Sequence, residues 1–466
     1  MKKIIRFSAI LLLLLTITAC SKNDSLLEVQ GNNPLPSEDV NEKPTDPTAI
    51  PTDTITDPPE QELTPVPTEP QTPLPSETPL PSPSNTPSSS NAPSSPVTEP
   101  ITPKPEDTSS TNSPTTVPTN EQTQMSNEKI VDKIINNMSL EEKVGQLFFV
   151  RIRDLKALED IKEFHLGGYI LFAEDVKDKT YDELKETLHN YQKTANIPLL
   201  IGVDEEGGTV NRISKYPEFR STPFLSPQDL YKKGGLDQIK KDTKEKAKLL
   251  KDLGINVNLA PVCDVSTNPE DFIYERSFGK DAYKTATYVS TIVKEMSANG
   301  LGSTLKHFPG YGNNVDTHTG IAIDKRSYDT FVNSDFIPFQ AGIKAGAGSI
   351  LVSHNIVMSM DETYPASLSP AVHKLLREDL GFEGVIMTDD LSMDAILEYT
   401  DKEEAAVQAI LAGNDLIIAS DFDIQIPAVI EALKEKTIDE DRIDESLRRI
   451  LLWKMNLGII TKTKSK

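Results

Sequence analysis

The sequence predicts an α/β fold: a single (β/α)8 barrel preceded by a signal peptide and a disordered Pro/Thr/Ser-rich linker. Eight short apolar runs recur after about residue 128, amphipathic stretches of helical length separate most of them, and polar residues gather at the C-terminal ends of the runs. Such alternation places parallel strands inside a ring of helices. A doubly wound open sheet is the structural alternative. The positions of Asp204, Asp264, Lys306, His307, His354 and Asp389, each at or just after the end of a run, favour the barrel, which collects functional side chains on one rim.

Residues 1–20 carry Lys2, Lys3 and Arg6, then the apolar core Ala9 to Leu15, then small residues, the pattern of an export signal. Ile17-Thr18-Ala19-Cys20 resembles the bacterial lipobox, which implies lipidation of Cys20 and attachment to the extracellular face of the cell membrane; an ordinary secretory signal with a chance cysteine is the alternative. Residues 21–125 hold 23 of the chain's 34 prolines, 16 acids against 3 bases, and no Phe, Trp or Tyr. Such a segment lacks the apolar surface needed to offset the entropy of ordering. It is expected to be a tether, reaching roughly 60 Å as a coil and on the order of 300 Å if polyproline II dominated.

Residues 126–466 form the predicted barrel. The strand-like runs are Gln146 to Ile152, Gly168 to Phe172, Pro198 to Val203, Asn256 to Pro261, Gly302 to His307, Ser349 to His354, Gly384 to Thr388 and Asp415 to Ala419. Helical spacing marks Tyr181 to Ala195, Asp237 to Leu253, Lys284 to Ala298, Asp335 to Ala345, Pro370 to Leu380 and Lys402 to Leu411. The net charge of −23 divides equally between linker and barrel apart from the basic leader, and it argues against a nucleic-acid partner, which requires a basic face. Cys20 and Cys263 are too few for a disulfide scaffold or a thiolate metal site, and Cys263 in its apolar run is expected to be buried and inert. No ligand-spaced cluster suggests a metal, and no cofactor is indicated. His165, His189 and His373 lie in helix-like polar surroundings and are expected at the surface, whereas His354 at a strand end either lines a pocket or does not.

Three segments carry chemistry. In Lys306-His307-Phe308-Pro309-Gly310-Tyr311-Gly312-Asn313-Asn314-Val315-Asp316-Thr317-His318, a strand delivers Lys306 and His307 to the rim and a loop follows. In an extended loop Asp316 and His318 face the same side, so a carboxylate can orient an imidazole that handles protons; on spacing alone the signal is weak, and two solvated residues read the same way. In Gly381-Phe382-Glu383-Gly384-Val385-Ile386-Met387-Thr388-Asp389-Asp390, Asp389 at a strand mouth suits a nucleophile or an electrostatic partner to a cationic transition state, while Asp390 suits a turn cap. In Gly202-Val203-Asp204-Glu205-Glu206-Gly207-Gly208-Thr209-Val210-Asn211-Arg212, the glycine pair allows close backbone approach to a ligand, and Asp204 and Arg212 either hydrogen-bond a polyol or form a surface ion pair.

Together with Leu140-Glu141-Glu142-Lys143-Val144-Gly145-Gln146-Leu147, Ala260-Pro261-Val262-Cys263-Asp264-Val265, Arg276-Ser277-Phe278-Gly279-Lys280-Asp281 and Pro365-Ala366-Ser367-Leu368-Ser369-Pro370, these segments resemble glycoside hydrolase family 3, in its β-N-acetylglucosaminidase branch, from about Ser139 to Ile460. The resemblance implies a retaining exo-enzyme that removes terminal N-acetylglucosamine from peptidoglycan fragments or chitin-type oligosaccharides. It implies Asp389 as nucleophile, His318 as acid/base oriented by Asp316, and Asp204, Arg212, Arg276, Lys306 and His307 as sugar-binding residues. The chain departs from the family pattern at Tyr311, Gly312 and Asn313, where His-Gly-Asp is usual, and at Glu205, Thr209 and Asn211, where Gln, Arg and Gln are common. Two alternatives stand beside hydrolysis. A neutral histidine acid/base repels an incoming anion less than a glutamate would, which admits a phosphorylase. A lipid-anchored sugar-binding protein without turnover is the other.

Overall fold

The computed structural model describes residues 120–314 and 320–461, with side chains from Asn127 onward. The leader, Cys20, nearly all of the linker, Asp316 and His318 lie outside the described residues. All eight predicted runs become strands: β1 (Phe148–Arg151), β2 (Gly168–Leu171), β3 (Leu200–Val203), β4 (Val257–Asn258), β5 (Gly302–Phe308), β6 (Ser349–Val352), β7 (Val385–Thr388) and β8 (Ile417–Ala419). They form one parallel sheet in the order β8-β1-β2-β3-β4-β5-β6-β7. A parallel bridge between Met387 and Leu416, with the Ile418 amide donating to Thr388 Oγ1 at 3.0 Å, joins β7 back to the approach of β8 and closes the barrel.

Burial on both faces explains why these strands read as continuous apolar runs rather than as alternating ones. Phe149 of β1 fills the barrel interior, and a Cβ at Gly202 would lie 2.4 Å from its ring, so β3 carries a glycine where β1 carries the bulk. Around the sheet, helices begin where short polar side chains cap them. Ser139 accepts from the Glu142 amide while Glu142 reaches back to the Ser139 amide, and Thr180 and Glu183 repeat the device. Val131 and Ile135 bury the helix Asn120–Ile135, which starts ahead of residue 126 and packs on the C-terminal helix Glu440–Asn456.

Some local expectations need correction. The helix expected to start at Asp237 is preceded by a helical segment from Pro227, and the two are separated only at Gly234 and Gly235, whose backbone leaves the helical region. The stretch expected to be helical from Asp335 begins as a wider π-turn, Phe331–Asp335, before the α-helix Phe336–Lys344, and the helix from Pro370 ends in another at Leu375–Asp379. His373 is not a surface residue: it is buried, and its Nδ1 lies 2.8 Å from the Ser369 carbonyl, because the turn rolls its ring inward. Cys263 is buried as expected, and burial pushes its thiol well above the ordinary range.

The end of the barrel opposite the strand C-termini holds a buried amine. Lys454 is fully buried; its Nζ donates to Gln146 Oε1 at 2.8 Å, and Gln146 Nε2 donates to the carbonyls of His165 and Leu166. Burial pulls the amine down to about 7 from its usual 10.5. Between about 7 and 10.5 the unfolded chain therefore holds a proton that the folded chain does not, so stability rises with pH across that window and the penalty is full below it. Lys454→Met is expected to raise unfolding free energy at pH 6 by roughly 1–3 kcal/mol and to flatten the rise between pH 7 and 10. Urea unfolding at several pH values checks both.

Candidate active site

The described site residues converge because they lie at, or on the loops after, the C-terminal ends of strands. Asp204 follows β3, and the turn beyond it is tied by Glu205, whose carboxylate accepts the amides of Arg212 and Ile213 at 2.8 Å each and of Ser214 at 3.1 Å. Asn258 of β4 holds the Glu205 backbone, donating to its carbonyl at 3.0 Å and accepting from its amide at 2.9 Å. Gly207 and Gly208 adopt positive φ of 102° and 68°, a conformation that lets the turn reverse and present Glu206 and Arg212 to the same cavity.

Lys306, near the C-terminal end of β5, donates through Nζ to Asp204 Oδ1 at 2.5 Å and to Glu206 Oε1 at 2.6 Å. Arg276, on the loop after β4, donates to both oxygens of Glu206, at 3.1 Å from Nε and 2.8 Å from Nη2, and its Nη2 also lies 3.1 Å from His307 Nε2. A guanidinium can only donate, so His307 Nε2 accepts and the ring proton sits on Nδ1. That proton points to Asp264 Oδ2 at 2.8 Å, while Asp264 also accepts the His307 amide at 3.1 Å and the Tyr311 amide at 2.7 Å. Burial favours a neutral Glu206, but Arg276 and Lys306 outweigh it and hold the carboxyl far below the usual range. Burial likewise opposes the Lys306 ammonium, and Asp204 and Glu206 outweigh it and hold the amine above its usual value. The result is an interlocked ion-pair cluster with an oriented imidazole.

Asp389 enters from the opposite wall, at the end of β7. Its amide donates to the Val352 carbonyl at 3.0 Å, and its Oδ1 accepts the Asp390 amide at 2.9 Å. Asp390 itself caps the following turn, accepting from the Ser392 amide at 2.9 Å and from Ser420 Oγ at 2.7 Å. His354 is buried behind this turn, bonded to Ser367 Oγ at 2.7 Å and to the Asp390 carbonyl at 3.0 Å; it supports the turn that carries Asp389 and is not among the residues lining the cavity.

A cavity of about 370 Å³ joins the two walls, with Asp389 on one side and Asp204, Arg212, Arg276, Lys306 and His307 on the other. Its floor is apolar, from Ile170, Leu259, Leu351 and Ile418. Convergent charged donors and acceptors above an apolar floor suit a small, uncharged, polyhydroxylated ring. Every described residue predicted from the sequence to bind sugar or to act as nucleophile lines this one cavity. Sequence alone does not single out Glu206, although it stands inside the Asp204 to Arg212 motif, because its partners Lys306 and Arg276 are remote in sequence. Nor does it single out Arg151 and Phe172: Arg151 ends β1 with its guanidinium 3.9 Å from the Phe172 ring centroid, a stacking that only strand neighbours create.

Residues 139–452 match the glycosyl hydrolase family 3 N terminal domain. The chain belongs to glycosyl hydrolase family 3. Within the family it groups with the β-hexosaminidases. It is 32% identical over 327 residues to β-hexosaminidase A of Pseudoalteromonas piscicida, covering 64% of this chain and 55% of that one. It is 29% identical over 331 residues to β-hexosaminidase LpqI of Mycobacterium tuberculosis, covering 68% and 83%. A solved family 3 β-N-acetylglucosaminidase from a Paenibacillus species superposes with a TM-score of 0.65 at 30% identity, over 70% of this chain and 67% of that one. The family 3 barrel therefore spans little more than half of the first relative and most of the second.

Proposed function

We propose that this family 3 protein is a retaining exo-β-N-acetylglucosaminidase acting on terminal β-linked N-acetylglucosamine of peptidoglycan fragments or chitin-type oligosaccharides. The observation that carries this is the single cavity in which Asp389 faces the Asp204, Arg212, Arg276, Lys306 and His307 cluster. The cluster grips the sugar hydroxyls, and the ion pairs that join Asp204, Glu206, Arg276 and Lys306 hold those side chains fixed without help from the substrate. The Asp389 carboxylate then attacks the anomeric carbon, the glycosidic C–O bond breaks, and His318, oriented by Asp316, protonates the departing oxygen. In the second half, His318 takes a proton from water as the water displaces Asp389, giving net retention. We further propose that the leader directs export and that acyl chains on Cys20 hold the protein at the extracellular face of the bacterial membrane, with the linker as tether.

Release of aryl alcohol from aryl β-N-acetylglucosaminide and aryl β-glucoside, with and without phosphate, tests the reading. Hydrolysis of the acetamido sugar, independent of phosphate, is expected. Phosphate-dependent formation of sugar 1-phosphate would replace hydrolase with phosphorylase, and sugar binding without release from either substrate would leave only a binding protein. Radiolabelled palmitate incorporation, lost in Cys20→Ala, checks the anchor.

A further inference from the structure

Residues 315–319 contain Asp316 and His318, and the described chain on either side of them converges on one guanidinium. On the upstream arm, Arg326 Nη2 donates to the Gly310 carbonyl at 2.9 Å. On the downstream arm, Nε and Nη2 donate to Asp324 at 2.9 and 2.7 Å, and Nη1 donates to both oxygens of Asp335 at 3.0 and 3.1 Å. Asn314, the last described residue before the segment, adds a direct tie between the arms, its Nδ2 donating to Asp324 Oδ2 at 2.7 Å.

The packing leaves no slack. A Cβ at Gly310 would lie 2.3 Å from Asp335 Oδ1 and one at Gly312 would lie 2.3 Å from Arg326 Cζ, so both glycines let the loop backbone rest on the ion cluster. Asp324 and Asp335 are each 1% exposed, and the guanidinium stacks 4.3 Å from the Phe331 ring centroid. Burial pushes the Asp335 carboxyl up to about 6 against the pull of Arg326. The cluster is also wired to both walls of the site. The upstream arm hangs from Asp264, which holds His307, and Ile323 and Asp324 pair with Ile356 and Val357 just beyond β6, beside the nucleophile strand β7. A planar fork with five donors makes all five of these contacts at once, whereas the ammonium of a lysine has only three donors and no fork to grip a carboxylate in bidentate fashion.

We propose that Arg326 is a positioning residue for proton transfer: it fixes the points at which the acid/base segment leaves and rejoins the barrel, and thereby the reach of His318. The proposal rests on the assignment of Asp316 and His318 as the acid/base pair. A fault confined to proton donation has a signature that general unfolding lacks. Bond cleavage with a strongly basic leaving group needs a proton, whereas dinitrophenolate departs without one.

The test compares kcat/KM for 2,4-dinitrophenyl and 4-methylphenyl β-N-acetylglucosaminides in wild type, Arg326→Lys, Asn314→Ala and His318→Ala. Arg326→Lys keeps the buried positive charge. It is expected to lose at least tenfold with the methylphenyl substrate and less than twofold with the dinitrophenyl one. Asn314→Ala, which leaves every ion pair in place, is expected to show the same selectivity at two- to threefold. An equal loss with both substrates, or no loss, in both the Arg326 and Asn314 variants while His318→Ala discriminates between leaving groups would overturn the positioning role alone. Failure of His318→Ala to discriminate would overturn the acid/base assignment and the clamp with it.

Discussion

Asp389→Ala is expected to lower turnover of an aryl β-N-acetylglucosaminide by at least ~10³-fold with the fold intact, because the proposed covalent intermediate forms on this carboxylate. The carboxylate stands at the mouth of β7, steadied by the Asp390 amide, and the opposite wall is taken up by groups already committed to one another: Asp204 and Glu206 to Lys306 and Arg276, and Asp264 to His307. Adding azide to the variant gives the sharper reading. A small anion entering the space left by the carboxylate approaches from the same face, so an azide product of inverted, α configuration identifies Asp389 as the nucleophile. A β-configured azide would assign it to proton transfer instead, and activity within tenfold of wild type would remove it from the mechanism.

Glu206→Gln is expected to have the largest effect on stability of any substitution in the cavity, about 3–5 kcal/mol at pH 7. The carboxylate lies between two cations that no other group fully neutralises: Lys306 keeps Asp204, but Arg276 has no other carboxylate within salt-bridge distance among the described residues. Glu206 and Lys306 side chains are each 3% exposed, so water cannot take over the screening. The midpoint of thermal unfolding should fall by on the order of 5–10 °C. The pH dependence has a definite sign. The folded carboxyl lies far below its ordinary 4.5, so its contribution is fully present above that value and is lost as pH falls below it, where the unfolded chain takes up the proton first. Denaturant unfolding of wild type should therefore steepen in its loss of stability below pH 4.5, and the Gln variant should lack that component. Equal stability of the two proteins at pH 7 would show that Arg276 finds another counter-charge.

The comparison of Glu205 with Glu206 shows why neighbouring residues in one motif diverge in role. Both are buried carboxylates, yet Glu205 turns back to collect the amides of Arg212, Ile213 and Ser214 and shapes the turn, whereas Glu206 points across to other strands and neutralises the site's cations. No spacing rule separates them, since the difference lies in which way the turn after β3 rotates each side chain.

Local order in the chain was sufficient for the scaffold and for the rim. A strand buried on both faces must be apolar throughout, and a parallel barrel puts the first polar residue after each strand on one side, so Asp204, Lys306, His307 and Asp389 could be named as rim residues from position in the chain alone. The pairing among them could not. Lys306 meets Asp204 across 102 positions and Arg276 meets Glu206 across 70, and such contacts exist only once the strands close with a particular register. The same closure brings Arg151 over Phe172, buries His373, and gathers Gly310, Asp324 and Asp335 around Arg326. Periodicity records which face of an element is apolar, a property of neighbours along the chain; electrostatic partnership is set by distance in space, and only the folded barrel sets those distances.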